Sequence, residues 1–143
     1  MEATLQTFPL HLHLNLWAIL ISALIQWILG SVWFSPALFS RQWMALLKID
    51  TTQKPKGLVF GMVSSFIGDL VLSLVLEHWV LWSGASTFGA GVAIGVLTWV
   101  GFFVAPNFAQ GIYEQRPFKL FAITNGYWMV ALVITGGLLA VWR

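Results

Sequence analysis

Along the chain, apolar positions gather into four long runs separated by short polar ones. One bilayer crossing takes roughly 20 apolar residues. The pattern predicts spans at about 16–34, 57–82, 87–105 and 118–142. Ser35-Pro36 follows the first span and can restart a helix, since proline suits a first helical turn. Over residues 36–48, Phe39, Trp43, Leu46 and Leu47 fall on one helical face, with Arg41 and Lys48 on another. That stretch reads as a short amphipathic helix lying in the interface. The expected fold class is all-α: an integral membrane four-helix bundle forming a single transmembrane domain over 1–143, with an interfacial helix between spans one and two.

Polar residues inside these runs are few and regularly spaced. The first span carries Ser22, Gln26, Gly30 and Trp33 as a narrow stripe, with Asn15 placed to cap its start. That stripe is expected to face other helices, because lipid offers Gln26 no partner. The second span carries two stripes. Gly57, Gly61, Ser64 and Gly68 allow close approach of a neighbouring backbone, and Ser65, Asp69, Ser73 and Glu77 recur at four-residue steps. The third span repeats the small-residue spacing at Gly91 and Gly95, followed by Thr98, and the fourth holds Asn125 near its start. Asn107 to Pro117 is expected to be a polar loop. Trp33-Phe34-Ser35-Pro36 and Phe103-Val104-Ala105-Pro106 echo one another at the ends of spans one and three, as in a parallel repeat of two hairpins.

Composition narrows the classes of function. The chain is 143 residues long, 59% hydrophobic and 8% charged, so the spans leave no room for a separate soluble domain. With no cysteine, disulfides and Cys-ligated zinc or iron–sulfur sites are excluded. A net charge of +2 gives no basis for nucleic-acid binding. The start lacks a basic n-region, so the first apolar run is expected to be retained as a helix. Arg41, Lys48, Lys54 and Lys56 lie in the first connection and Arg116 and Lys119 at the third, while the second has none. The positive-inside rule then places both long connections in the cytoplasm and both termini outside.

Gly30-Ser31-Val32-Trp33-Phe34-Ser35-Pro36-Ala37-Leu38-Phe39, followed by Trp43, resembles the signature of a bacterial membrane family catalogued as domain of unknown function 1761. Trp99-Val100-Gly101-Phe102, Tyr113-Glu114-Gln115-Arg116-Pro117-Phe118-Lys119-Leu120 and Asn125-Gly126-Tyr127 agree with it in the second half. Ser40 departs from the family pattern, which often has glycine there. The resemblance implies a four-helix protein of the bacterial inner membrane and brings no site residues with it.

Asp69 is the sharpest candidate. A carboxylate near mid-bilayer costs roughly 2.5–3.5 kcal/mol on insertion scales and is a functional candidate by default. Gln26 and Thr98 lie at similar depth and are its expected hydrogen-bond partners. Glu77 lies two turns further out, close to His78, on the same side as His11 and His13. These histidines with a carboxylate are candidate metal ligands, and a histidine could also ligate a tetrapyrrole metal. In the connections, Tyr113, Glu114 and Arg116 are expected opposite Arg41 and Lys48, as loop–loop ion pairing that pins the interfacial helix or, alternatively, as a small anionic-ligand or lipid-headgroup site. No G-x-S-x-G, P-loop, Rossmann or His-Glu-x-x-His pattern occurs, so the chain reads as non-enzymatic, without a resident cofactor. The first functional expectation is an accessory or structural subunit working through other membrane subunits or as a homo-oligomer. The alternative is a small proton-linked transporter or channel-like protein using Asp69, and the third is a pigment- or metal-binding membrane subunit.

Overall fold

The computed structural model describes residues 13–50, 52 and 57–142, and every regular element within them is helical. Helix α1 (Leu16–Trp33) starts where Asn15 Oδ1 accepts the Ala18 N–H at 3.1 Å. The same asparagine donates through Nδ2 to the Trp142 carbonyl at 3.2 Å, tying the start of the first span to the end of the fourth. After α1 the chain does not restart at Pro36. Residues 35–39 form turns instead, with the Leu38 and Ser40 N–H groups both donating to the Ser35 carbonyl. The short helix α2 then covers only Ser40–Leu46.

Helix α3 (Leu58–Ser83) runs between two glycines in left-handed conformation, Gly57 at φ 78° and Gly84 at φ 70°. Positive φ is nearly free of cost only for glycine, so these two residues set sharp ends to the span. Helix α4 (Phe88–Thr98) is capped by the Thr87 hydroxyl, which accepts the Ala90 N–H at 3.2 Å.

The third span departs from the sequence reading. Helix does not stop near Ala105; it continues through a π-helical segment, Trp99–Val104, into α5 (Ala105–Tyr113). The Ala105 N–H reaches the Val100 carbonyl five residues back, one residue wider than an α turn. Pro106 has no N–H to give and would strain a regular turn, and the wider turn just ahead of it lets helix continue. Much of the expected Asn107–Pro117 loop is therefore helical, and the connection shrinks to residues 114–117 before α6 (Phe118–Val141). The two aromatic-then-proline echoes have different outcomes: one ends its helix and the other passes through.

Helix α6 is the central element. Half of its most apolar window is buried, against 28% for the first span, 17% for the third and 11% for the second. Leu132, Leu139 and Ala140 of α6 join Ala18, Leu76, Val80 and Ala85 in the main core. Among the described residues, four helices are long and apolar enough to cross a membrane, so this is a multi-pass membrane protein built as a four-helix bundle.

Candidate functional site

The polar stripe of α3 is divided by its surroundings. Ser65 is exposed and turns back to donate to the Met62 carbonyl, whereas Asp69, Ser73 and Glu77 are buried. The division arises because the two halves of α3 have different neighbours. Its second half enters the core through Leu76 and Val80. Its first half leans on α1, where Trp27 Nε1 donates to the Met62 carbonyl at 3.0 Å and the Trp27 ring meets Phe66 edge-on.

On its other side that first half stands clear of the bundle, leaving a groove of about 1170 Å³. From α3 the wall includes Gly57, Gly61, Gly68, Asp69 and Val75. A β-carbon at Gly57, Gly61 or Gly68 would meet nothing within 4 Å. Trp27 and Gly30 line the groove from α1, Phe102 and Phe103 from the π segment, and Tyr127 and Trp128 from α6. Phe34 and Trp43, with ring centroids 5.3 Å apart, close the end near α2. Val71, Val75 and Phe102 are wall residues and also exposed, so the groove is open at the surface of the bundle.

Among the described residues, Asp69 is the only Asp, Glu, Lys or Arg on this wall. It is 4% exposed, and no described residue donates a hydrogen bond to it. The two partners expected for it are engaged elsewhere. Gln26 Nε2 donates to Ser73 Oγ at 3.0 Å, one turn beyond Asp69, and to Thr135 Oγ1 at 3.4 Å. Thr98 lines the groove with Asp69 but donates to its own Ile94 carbonyl at 2.8 Å, a local bond always within reach of a threonine in a helix. The spacing of polar residues along the sequence does not mark Tyr127 as a site residue. Its hydroxyl donates to the Gln26 backbone carbonyl at 3.1 Å, and it shares the groove wall with Asp69. The Asn125-Gly126-Tyr127 run was the available signal for it.

Asn125 is buried, with Nδ2 donating to the Phe121 carbonyl at 3.1 Å and its backbone carbonyl accepting from Trp99 Nε1 at 2.8 Å. It lines a separate pocket of about 50 Å³ together with Arg116. Gly91 and Gly95 pack against α6 within the same chain, a β-carbon at either overlapping an α6 carbonyl.

The histidines are dispersed. His11 lies outside the described residues, His13 is exposed, and His78 Nδ1 donates to the Leu74 carbonyl at 2.7 Å beside the Trp82 ring. Among the described residues, no three His, Asp or Glu side chains come together as a metal site. Glu114 pairs with Arg116 and accepts from Gln110, and no ion pair joins Arg41 to Glu114. In the first connection, the Thr52 hydroxyl and N–H both donate to Asp50 and hold its carboxyl below the ordinary carboxylate range.

A family model described as a protein of unknown function (DUF1761) matches residues 17–140. The chain belongs to that family. No curated protein and no solved structure matches it.

Proposed function

We propose that this member of the DUF1761 family draws an amphiphilic cation from the bilayer into the groove and anchors it through Asp69, as the binding step of a small carrier. One observation supports the reading. Among the described residues, Asp69 is the one carboxylate in a mostly apolar and aromatic wall, and no described residue hydrogen-bonds it. A carboxylate at mid-bilayer calls for a partner, and here a ligand can bring one as an ammonium or other cationic group. Trp27, Trp79, Trp128 and Phe102 add π faces to which a cation is attracted. The volume of about 1170 Å³ lies a little above the range of ordinary small-molecule sites, which run to about 1,000 Å³, and suits an extended amphiphile.

The accessory-subunit reading asks for dry packing around Asp69, and a groove at that residue favours the carrier. We place the first and third connections in the cytoplasm of a bacterial inner membrane, with both termini outside, on the clustering of Arg41, Lys48, Lys54, Lys56, Arg116 and Lys119.

The test is a titration of the protein in lipid nanodiscs with tetraphenylphosphonium, read by quenching of the groove tryptophans. Saturable quenching is expected, with the affinity falling about 10-fold or more in Asp69→Asn, a loss of about 1.4 kcal/mol. Equal affinity in the variant, or quenching that only tracks partition into lipid, defeats the proposal. Stoichiometric protein partners, found on gentle extraction together with such a null titration, restore the subunit reading.

A further inference from the structure

Among the described residues, every hydroxyl on the groove wall has already given its hydrogen away. Ser31 donates to the Trp27 carbonyl at 2.9 Å, Ser65 to Met62 at 2.9 Å, Thr98 to Ile94 at 2.8 Å and Tyr127 to Gln26 at 3.1 Å. A carbonyl oxygen only accepts, so in each bond the hydroxyl is the donor and keeps its lone pairs. An ionised carboxylate only accepts as well. The oxygen atoms that the side chains of this wall offer a ligand are therefore all acceptors. The side-chain N–H groups on the wall belong to tryptophans, and Trp27 spends its own on the Met62 carbonyl.

Register brings two of these hydroxyls to the level of Asp69. Consecutive spans α1 and α3 run antiparallel, and Gln26 meets Ser73 at 3.0 Å. Residues four apart share a helical face, so one turn toward α2 the level of Asp69 on α3 is that of Gly30 on α1. The Tyr127 hydroxyl lies against Gly30, where a β-carbon would come within 3.2 Å of it. Between α4 and α6, Gly91 packs on Gly136 and Gly95 on Leu132. One turn further, the same register sets the Thr98–Trp99 step at the level of Trp128, the neighbour of Tyr127 in α6. Gly30, Asp69, Thr98, Tyr127 and Trp128 all line the groove, as this register requires.

We infer that the ligand anchored at Asp69 is a protonated primary or secondary amine, with its N–H groups shared between the Asp69 carboxylate and the hydroxyl oxygens of Thr98 and Tyr127. The inference rests on the groove reading above and narrows its ligand from any amphiphilic cation to one that brings its own hydrogen-bond donors. Hydrogen bonds from an ammonium to a carboxylate are about twice as strong as neutral ones. A quaternary ammonium has the charge but no N–H, and a site built to bond N–H groups is left with unpaired acceptors around it.

The experiment is thermal unfolding of the intact protein in phosphatidylcholine nanodiscs, followed by tryptophan fluorescence, with 4-phenylbutylammonium against 4-phenylbutyltrimethylammonium. The two probes share charge and apolar tail and differ in their N–H groups. A ligand that binds only the folded state raises its stability with concentration. A saturable rise in Tm is expected with both, at an about 10-fold lower concentration for the primary amine, and lost for both in Asp69→Asn. Thr98→Val and Tyr127→Phe each narrow the ratio between the two probes, which a general loosening of the bundle does not. Equal half-saturation in the wild-type protein, or tighter binding of the trimethyl probe, overturns the inference and leaves the groove reading standing. A rise with neither probe, or rises that Asp69→Asn retains, overturns both. A ratio unchanged in Thr98→Val and in Tyr127→Phe alike overturns the assignment of these two hydroxyls as the acceptors.

Discussion

Gly91 of α4 and Gly136 of α6 lie back to back, so close that a β-carbon on Gly91 would overlap the Gly136 carbonyl oxygen. Gly95 stands in the same relation to the Leu132 carbonyl, one turn along. Lipid is as apolar as a leucine side chain, so helices in a membrane gain mainly by close packing, and small residues let backbones touch. The pairing of the third and fourth spans rests on this seam.

Gly91→Val therefore forces α4 away from α6 and is expected to destabilise the fold by at least the 1–3 kcal/mol typical of overpacking (order of magnitude). Gly61→Ala, at a position with nothing within 4 Å, is expected to be neutral or to gain up to about 1 kcal/mol from helix propensity. Thermal unfolding of the two variants in one detergent measures the contrast. A Gly61→Ala protein less stable than Gly91→Val contradicts this account of the seam.

Two tryptophans hold α6 through backbone carbonyls two residues apart. Trp33 Nε1 donates to Ile123 at 3.1 Å and Trp99 Nε1 to Asn125 at 2.8 Å. Phenylalanine keeps a ring at each place and drops the donor. Trp99→Phe should cost about 0.6 kcal/mol, and no more than about 1.7, the span measured for such bonds in membranes. Trp17→Phe, at an exposed position, should stay within about 0.5 kcal/mol. Unfolding midpoints in detergent decide it, and equal midpoints for the two variants would show that the indole bond contributes nothing.

The absence of cysteine makes a single introduced thiol readable against no background. With the proposed orientation, a cysteine at Ser86, in the turn between α3 and α4, reacts with an impermeant maleimide on intact cells. One at Gln115 reacts only after permeabilisation. The reverse pattern would invert the topology.

The amino-acid sequence by itself determined the number of spans, three of their four lengths to within a residue or so, the Asn15 cap, the presence of a short helix before α3 and the family. These depend on runs of apolar residues and on side chains reaching a few positions along their own helix, which are local properties. Tertiary structure decided the rest. Gly61 and Gly91 have similar small-residue spacings, yet one borders a groove and the other touches a backbone, because helix tilt and rotation set the separation. Gln26 and Asp69 sit at similar depth, but the antiparallel register sends the amide one turn past the carboxylate, to Ser73. Pro106 reads as a helix end, and the wider turn before it lets the helix continue. Depth and composition are written along one strand of chain, whereas which face meets which neighbour depends on how four rigid helices pack together.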